Sequence, residues 1–215
     1  MLALLAIGGG ALAHAQEPDP ATTSATGIVP ADPGPIAWRR SFPVGSPGHG
    51  FLLRGVKLPP QGEDFFTWDP ILDRYPNRGW RRWAADRPLR TVLRVIAEYR
   101  DAHPGAPRVG IEDISRRFGG PFGSRYGGLG HASHQTGVDF DIAYPRRDGR
   151  EEGIDGVRQV DRGRSRDLIR RFVRAGSVYV FVGPKTGLAP RGRQLGRPVQ
   201  RLAYHDDHMH VRLPS

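Results

Sequence analysis

Not one of the 215 residues is a cysteine. That excludes a disulfide scaffold, a thiol nucleophile and any cysteine-ligated zinc or iron–sulfur centre. A metal in this chain has to be held by His, Asp or Glu. Lysine is nearly absent as well. It occurs only at 57 and 185, so of the 32 cationic side chains all but those two are arginine. HExxH, GxSxG and the P-loop pattern are missing. Their absence removes a thermolysin-type zinc helix, a nucleophile-elbow hydrolase and the common phosphate-cradling fold. No apolar run reaches bilayer length, so stable membrane insertion is not expected.

What is present points to a loop-rich globular chain. Glycine (29) and proline (20) are abundant without dominating. The formal charge of +10 suits an anionic partner. The arginines, however, are scattered among acids, as in Arg162-Gly163-Arg164-Ser165-Arg166-Asp167. No basic stripe emerges from the sequence, and nucleic acid is not an expected partner. The apolar stretch Leu2–Leu12 ends in Ala13-His14-Ala15, a small-x-small pattern like a signal-peptidase site, although it lacks a basic start. We therefore expect an export signal at 1–15, a flexible Pro/Ala/Thr-rich linker at 16–40 and a folded domain over 41–215 that begins between Ser41 and Phe51.

Within that domain Leu89, Val92, Leu93, Ile96 and Tyr99 recur at helical spacing. They predict a helix over 87–100, with Asp86 as its N-cap and Pro88 in the first turn. A second helix is predicted over Ser165–Ala175, capped by Ser165 and stopped by Gly176. Short strands are expected at Val109–Ile111, Val138–Tyr144, Ser177–Val182 and His208–Leu213. In VDFDIAY the residues Val138, Phe140 and Ile142 alternate with Asp139 and Asp141. In HMHVRL the residues Met209, Val211 and Leu213 alternate with His208, His210 and Arg212. Helices mixed with short strands and long Gly-rich loops make the fold class α+β.

Five of the eight histidines fall in two clusters, GHASHQTGVDFD at 130–141 and HDDHMH at 205–210. Residues two apart on a strand share a side. If the two strands are neighbours, one cation can gather His134, an aspartate and a C-terminal histidine. Zinc sites without cysteine use this imidazole–carboxylate chemistry, with one position left open for catalysis. An HxH near a terminus and an Asp-rich stretch also occur as solvated strand ends, and spacing alone leaves both readings open. Asp139, Asp206 and Asp207 are candidates to orient the histidines.

Gly130–Ile142 (GHASHQTGVDFDI) followed by HDDHMHVRL at 205–213 closely resembles the penicillin-insensitive murein endopeptidases, zinc peptidases related to the lysostaphin and D-Ala-D-Ala metallopeptidase group. The shared elements are His-x6-Asp and a later His-x-His, and the likeness covers about 75–213. The resemblance implies one zinc ion per chain, held by His134, Asp141 and His210 on a small antiparallel sheet flanked by helices and Gly-rich loops. It makes His208 the general base and places His131 and His205 along the cleft. The Gly-rich run Phe118–Gly130 brings Arg125, which pairs with a substrate carboxylate or steadies the oxyanion, or else is a surface arginine. Tyr126, Tyr204 and Ser133 are further candidates for the cleft. The implied reaction is hydrolysis of the D-alanyl–meso-diaminopimelyl cross-link of peptidoglycan in the periplasm. A D,D- or L,D-carboxypeptidase with the same zinc core and a non-catalytic cell-wall-binding module are the alternatives. The chain departs from the family in lacking cysteines and in its Arg/Gly/Asp-rich middle, 146–164.

Overall fold

A computed structural model describes residues 34–122, 131–190 and 197–215. The expected export signal, most of the linker, Arg125, Tyr126 and the remainder of the Gly-rich run at 123–130 lie outside those residues. In chain order the strands are β1 (Phe42–Ser46), β2 (His49–Leu53), β3 (Val56–Lys57), β4 (Phe65–Thr67), β5 (Trp83–Ala84), β6 (Val109–Ile111), β7 (Asp139–Ala143), β8 (Tyr179–Val182), β9 (Val199–Arg201) and β10 (His208–Arg212). Among the described residues two helices, α1 (Asp86–Ala102) and α2 (Arg162–Arg174), complete the α+β fold, with a short 3-10 turn at Gly79–Arg81.

Six strands form one sheet in the order β4-β6-β7-β10-β8-β9. Its four central strands are antiparallel, as expected, but the outer pairs β4–β6 and β8–β9 are parallel. The sheet is thus larger and more mixed than the small antiparallel one expected. The two outermost strands are three residues each, too short to show a period of two. The parallel pair β4–β6 is bridged by the long crossover containing α1, the connection parallel pairing requires.

The alternation read from the sequence sorts the two faces of this sheet. Phe140, Ile142, Val180, Val182, Met209 and Val211 are buried in one core with Leu89, Val92, Ile96 and Tyr99 of α1 and Leu168, Ile169 and Phe172 of α2. Burying each of these side chains contributes about 1.5–3 kcal/mol. Both helices therefore cover the same face. Asp139, Asp141, His208 and His210 sit at the intervening positions and face the other way.

The helix starts differ from the expected caps. Ala85 occupies the N-cap of α1, and Asp86 is already helical, its carboxylate accepting from the Ser41 backbone N–H (3.1 Å) and hydroxyl (2.7 Å). The N-cap of α2 is Asp161, whose side chain accepts from Arg164 N–H at 3.0 Å, while Ser165 lies one turn in and donates to the Asp161 carbonyl. In both cases the acid that favours a helix start is used, but long-range partners and a preceding acid shift the register. Gly176, at φ +87°, ends α2 as expected.

The β1–β2 hairpin braces the segment that leads into β7. Gln135 donates to the Gly48 carbonyl (2.6 Å) and accepts from Gly50 N–H (3.1 Å), and its own N–H donates to the Pro47 carbonyl (3.0 Å).

Candidate metal centre

Strands β7 and β10 are neighbours, and their register sets His210 opposite Asp141 and Arg212 opposite Asp139. His134 reaches the same place from the turn before β7. Its backbone is at φ +69°, a left-handed conformation that costs a non-glycine residue about 1–2 kcal/mol. The conformation is held by Asp139, whose carboxylate accepts the His134 N–H at 2.9 Å.

Three donor atoms converge from these elements. His134 Nε2 and His210 Nδ1 are 3.2 Å apart, His210 Nδ1 and Asp141 Oδ1 3.1 Å, and His134 Nε2 and Asp141 Oδ1 3.4 Å. Tetrahedral bonds of about 2.0–2.1 Å set ligand atoms about 3.4 Å apart, so the triangle has the size a zinc-like cation needs. The outer nitrogens are already engaged. His134 Nδ1 donates to the Ile114 carbonyl at 2.7 Å, and His210 Nε2 donates to Asp139 Oδ1 at 3.1 Å. That fixes the tautomers and turns two lone pairs and a carboxylate oxygen toward one point.

Two more imidazoles follow the same rule. His208 Nδ1 donates to Asp207 Oδ1 (2.8 Å) and points Nε2 toward Asp141 Oδ1 (3.6 Å). His131 Nε2 donates to Asp113 Oδ2 (2.8 Å) and points Nδ1 toward Asp141 Oδ2 (3.7 Å). His131, His134 and Asp141 also each offer a ligand atom within 4.8 Å of one another, a group that could itself hold a metal ion. His205 completes the wall, its ring 4.8 Å from that of His208 and 5.8 Å from that of His210, with Nδ1 donating to the Ala203 carbonyl.

The electrostatics describe a site short of positive charge. Burial works against ionising Asp141, but His134 and His208 hold its pKa well below the carboxylate range. In turn, and despite burial, Asp141 raises His134 to about 9 and, with Asp207, raises His208 to about 10. Burial together with the nearby His208 lowers His205 to about 4 and keeps it neutral.

The surrounding carboxylates divide the support. Asp139 is fully buried and accepts from His134, His210 and Arg212 Nε (2.7 Å). Asp207 orients His208, whereas Asp206 accepts from Lys185 N–H (2.9 Å) and ties down the loop instead of a histidine. Sequence reasoning did not single out Asp113, which is buried, paired bidentately with buried Arg81 and hydrogen-bonded by Asn77 Nδ2 (3.1 Å). Burial pushes its carboxyl up, but Arg81 and His131 bring it down to about 2. Neighbouring Glu112 is also buried, and His208 opposes its shift only in part. Burial, reinforced by Asp207, Asp141 and Asp113, raises its pKa well above the usual range. The available signal was an acid pair directly after the predicted strand Val109–Ile111, at the end of an element that pairs with β7.

Aromatic rings frame the cluster. Phe122 lies 4.8 Å from the His131 ring and 6.0 Å from the His134 ring, and Phe181, across from His210 on β8, lies 5.7 Å from it. Tyr204, a candidate for the cleft wall, is 94% exposed.

A family model described as penicillin-insensitive murein endopeptidase matches residues 43–172. The match covers more than half the chain and includes Asp113, His131, His134 and Asp141. It ends before His205, His208 and His210, whose place in the cluster rests on the geometry above. No curated protein matches the chain. The chain belongs to the penicillin-insensitive murein endopeptidase family, a family of peptidases acting on peptidoglycan.

Proposed function

We propose that this member of the murein endopeptidase family is a zinc-dependent D,D-endopeptidase that hydrolyses the D-alanyl–meso-diaminopimelyl cross-link of peptidoglycan. The observation that carries the reading is the triangle of His134 Nε2, Asp141 Oδ1 and His210 Nδ1, with edges of 3.1–3.4 Å and the outer nitrogen of each histidine held by an acceptor. In this reading His134, Asp141 and His210 hold the ion. Two imidazoles and a carboxylate form a borderline-to-hard set suited to zinc. When bound, zinc supplies Lewis acidity toward the scissile carbonyl and the attacking water.

The chain's own residues do the rest. His208 takes the proton of the attacking water at Nε2 and returns it to the leaving amine. Its Nδ1–H stays on Asp207, which stabilises the imidazolium in between. Were Asp141 committed to a cation, it would draw a proton onto His208 less strongly, which favours the imidazole as the base. His131, fixed by the Asp113–Arg81 pair, and His205, neutral at its low pKa, line the cleft and face the substrate. Arg125 is assigned to a substrate carboxylate or the oxyanion. Residues 1–15 export the chain to the periplasm, 16–40 link, and 41–215 act. Among the described residues no helix is long and apolar enough to cross a membrane.

Mass spectrometry of purified sacculi treated with the zinc-loaded protein tests the activity. Cross-linked dimers should become monomers that keep their terminal residues. Loss of a terminal residue from uncross-linked stems would make the chain a carboxypeptidase. Binding without release of any product would make it a wall-binding module.

A further inference from the structure

The arginines that look scattered in the sequence are ordered on the helical layer. On α2 the side chains of Ser165, Leu168, Ile169 and Phe172 are buried. Arg166, Arg170 and Arg174 occupy the opposite side of the same helix and are exposed. Four residues apart, they advance about 6 Å per step along the axis. The outer side of α1 carries a second exposed row, Arg87, Arg90 and Arg94. Both helices cover the core face of the sheet, so these rows look away from the metal centre.

Acids offset them only in part, and Asp101 shares the exposed side of α1 with its arginines. Glu98 is paired with Arg94 at 2.9 Å. Asp167 is already shared by Arg170 (3.2 Å), Arg171 (2.7 Å) and His103 (3.0 Å). The aspartates that lower the chain's net charge near the cleft are consumed by the histidines and Arg81. One exposed ring, Trp38, lies under the Arg90 guanidinium at 3.8 Å, but neither helix contributes an apolar stripe to this face. The exposed large hydrophobic side chains among the described residues, such as Phe51, Leu53, Phe118 and Tyr204, all lie outside α1 and α2. A surface that inserts into a bilayer interface pairs its basic residues with exposed apolar ones. Charge without an apolar stripe matches a hydrated polyanion.

We propose that the outer face of α1 and α2 is a second, non-catalytic binding surface for peptidoglycan, in which the two arginine rows hold the carboxylates of stem peptides on one strand while the opposite face of the sheet cuts another. The inference rests on peptidoglycan being the substrate. It assigns the chain's positive charge to a place and gives the metal centre an insoluble polymer at high local concentration.

The test separates binding from cutting. Cosedimentation of the zinc-loaded protein with purified sacculi, over times short against digestion, is compared for wild type, R166E/R170E/R174E and R166K/R170K/R174K. Hydrolysis of a soluble cross-linked dimer is measured in parallel, and a calorimetric scan checks folding. The Glu variant should bind sacculi about tenfold or more weakly, and added salt should weaken the wild type similarly, because exposed charges are screened within about 10 Å at 0.1 M. The Lys variant should bind nearly as the wild type does. All three should cleave the soluble dimer at rates within about twofold of one another, as expected of surface charges remote from the reacting atoms. If the Glu variant unfolds, R166Q/R170Q/R174Q replaces it with the same expectations. Unchanged sacculus binding by the charge-altered variants overturns the proposal. So does equal loss of binding in the Lys variant, or loss of binding only to vesicles of anionic phospholipid. A wild type that binds sacculi through these arginines but cuts neither substrate would sink the proposed activity and leave this surface standing.

Discussion

Replacing Asp139 by Asn is the sharpest single perturbation of the centre, because Asp139 holds two of the three proposed ligands without being one. Its carboxylate accepts from His134 N–H (2.9 Å), His210 Nε2 (3.1 Å), Arg212 Nε (2.7 Å) and Arg212 Nη2 (3.3 Å). Asparagine keeps the shape but offers one oxygen, and its amide group must face one of these donors. Hydrogen bonds to charged groups contribute about 1.5–3 kcal/mol each. Leaving a buried partner unpaired costs about 3–5 kcal/mol. Arg212 keeps 23% of its side-chain exposure and can recover some hydration, which places the loss at the lower end, about 3 kcal/mol. In a chain of this size that lowers the thermal midpoint by about 6–12 °C. The same change frees the His210 ring and releases the strained His134 backbone, so zinc affinity should fall about 10–100-fold. Calorimetry of the metal-free protein and competition against a chelating indicator measure the two effects separately. Loss of stability with wild-type zinc affinity would refute the reasoning, since Asp139 would then be only a strand-end hydrogen-bond acceptor.

The other expectations follow from the same geometry. In the metal-free protein His134 and His208 are raised to about 9 and about 10, so the stabilisation they provide is complete below about pH 6.5 and is lost as the pH rises through those values. Thermal midpoints should decline from pH 7 to 10 without zinc but not with it, and zinc binding at pH 7 should release protons. Identical profiles with and without metal would contradict this. Asp113, brought down to about 2, stabilises the fold above about pH 4 and loses that contribution as the pH falls. Acid titration of wild type against Asp113→Ala checks it, the variant losing about 3–5 kcal/mol at pH 7 because Arg81 is left buried and unpaired. His208→Ala should keep zinc and lose about 10²–10⁴-fold in turnover; wild-type digestion of sacculi would remove His208 as the base. A Cβ at Gly183 would collide with the Asp206 backbone, so Gly183→Ala should shift the 205–208 segment and reduce turnover more than it reduces zinc affinity. Equal losses in both would mean the ligands themselves had moved.

The period-two alternation of VDFDIAY and HMHVRL was enough to place Asp141 and His210 on one side of two strands, and the two clusters carried the family. What the sequence withheld is mostly long-range. Asp113 lies 18 residues from His131 and 32 from Arg81, and no local pattern ties such partners together. The Ile114 carbonyl that fixes the His134 tautomer belongs to no side chain at all. The helix caps failed by a few residues because Ser41, 45 residues away, claims Asp86, and because Asp161 caps α2 ahead of Ser165. The short parallel edges β4 and β9 left no period to detect. The basic rows on α1 and α2 were hidden by the sequence itself, where acids interleave with the arginines and pair with some of them, as Glu98 does with Arg94 and Asp167 with Arg170.

The central claim is that one cation sits on His134, Asp141 and His210, with His208 beside it. An anomalous difference map of crystals grown with zinc measures this directly. The predicted result is a single peak about 2.0–2.2 Å from His134 Nε2, Asp141 Oδ1 and His210 Nδ1, with one coordination position open to the cleft. A peak ligated by His131 with His210 outside bonding distance, or an enzyme fully active with no peak at this triangle, would contradict it.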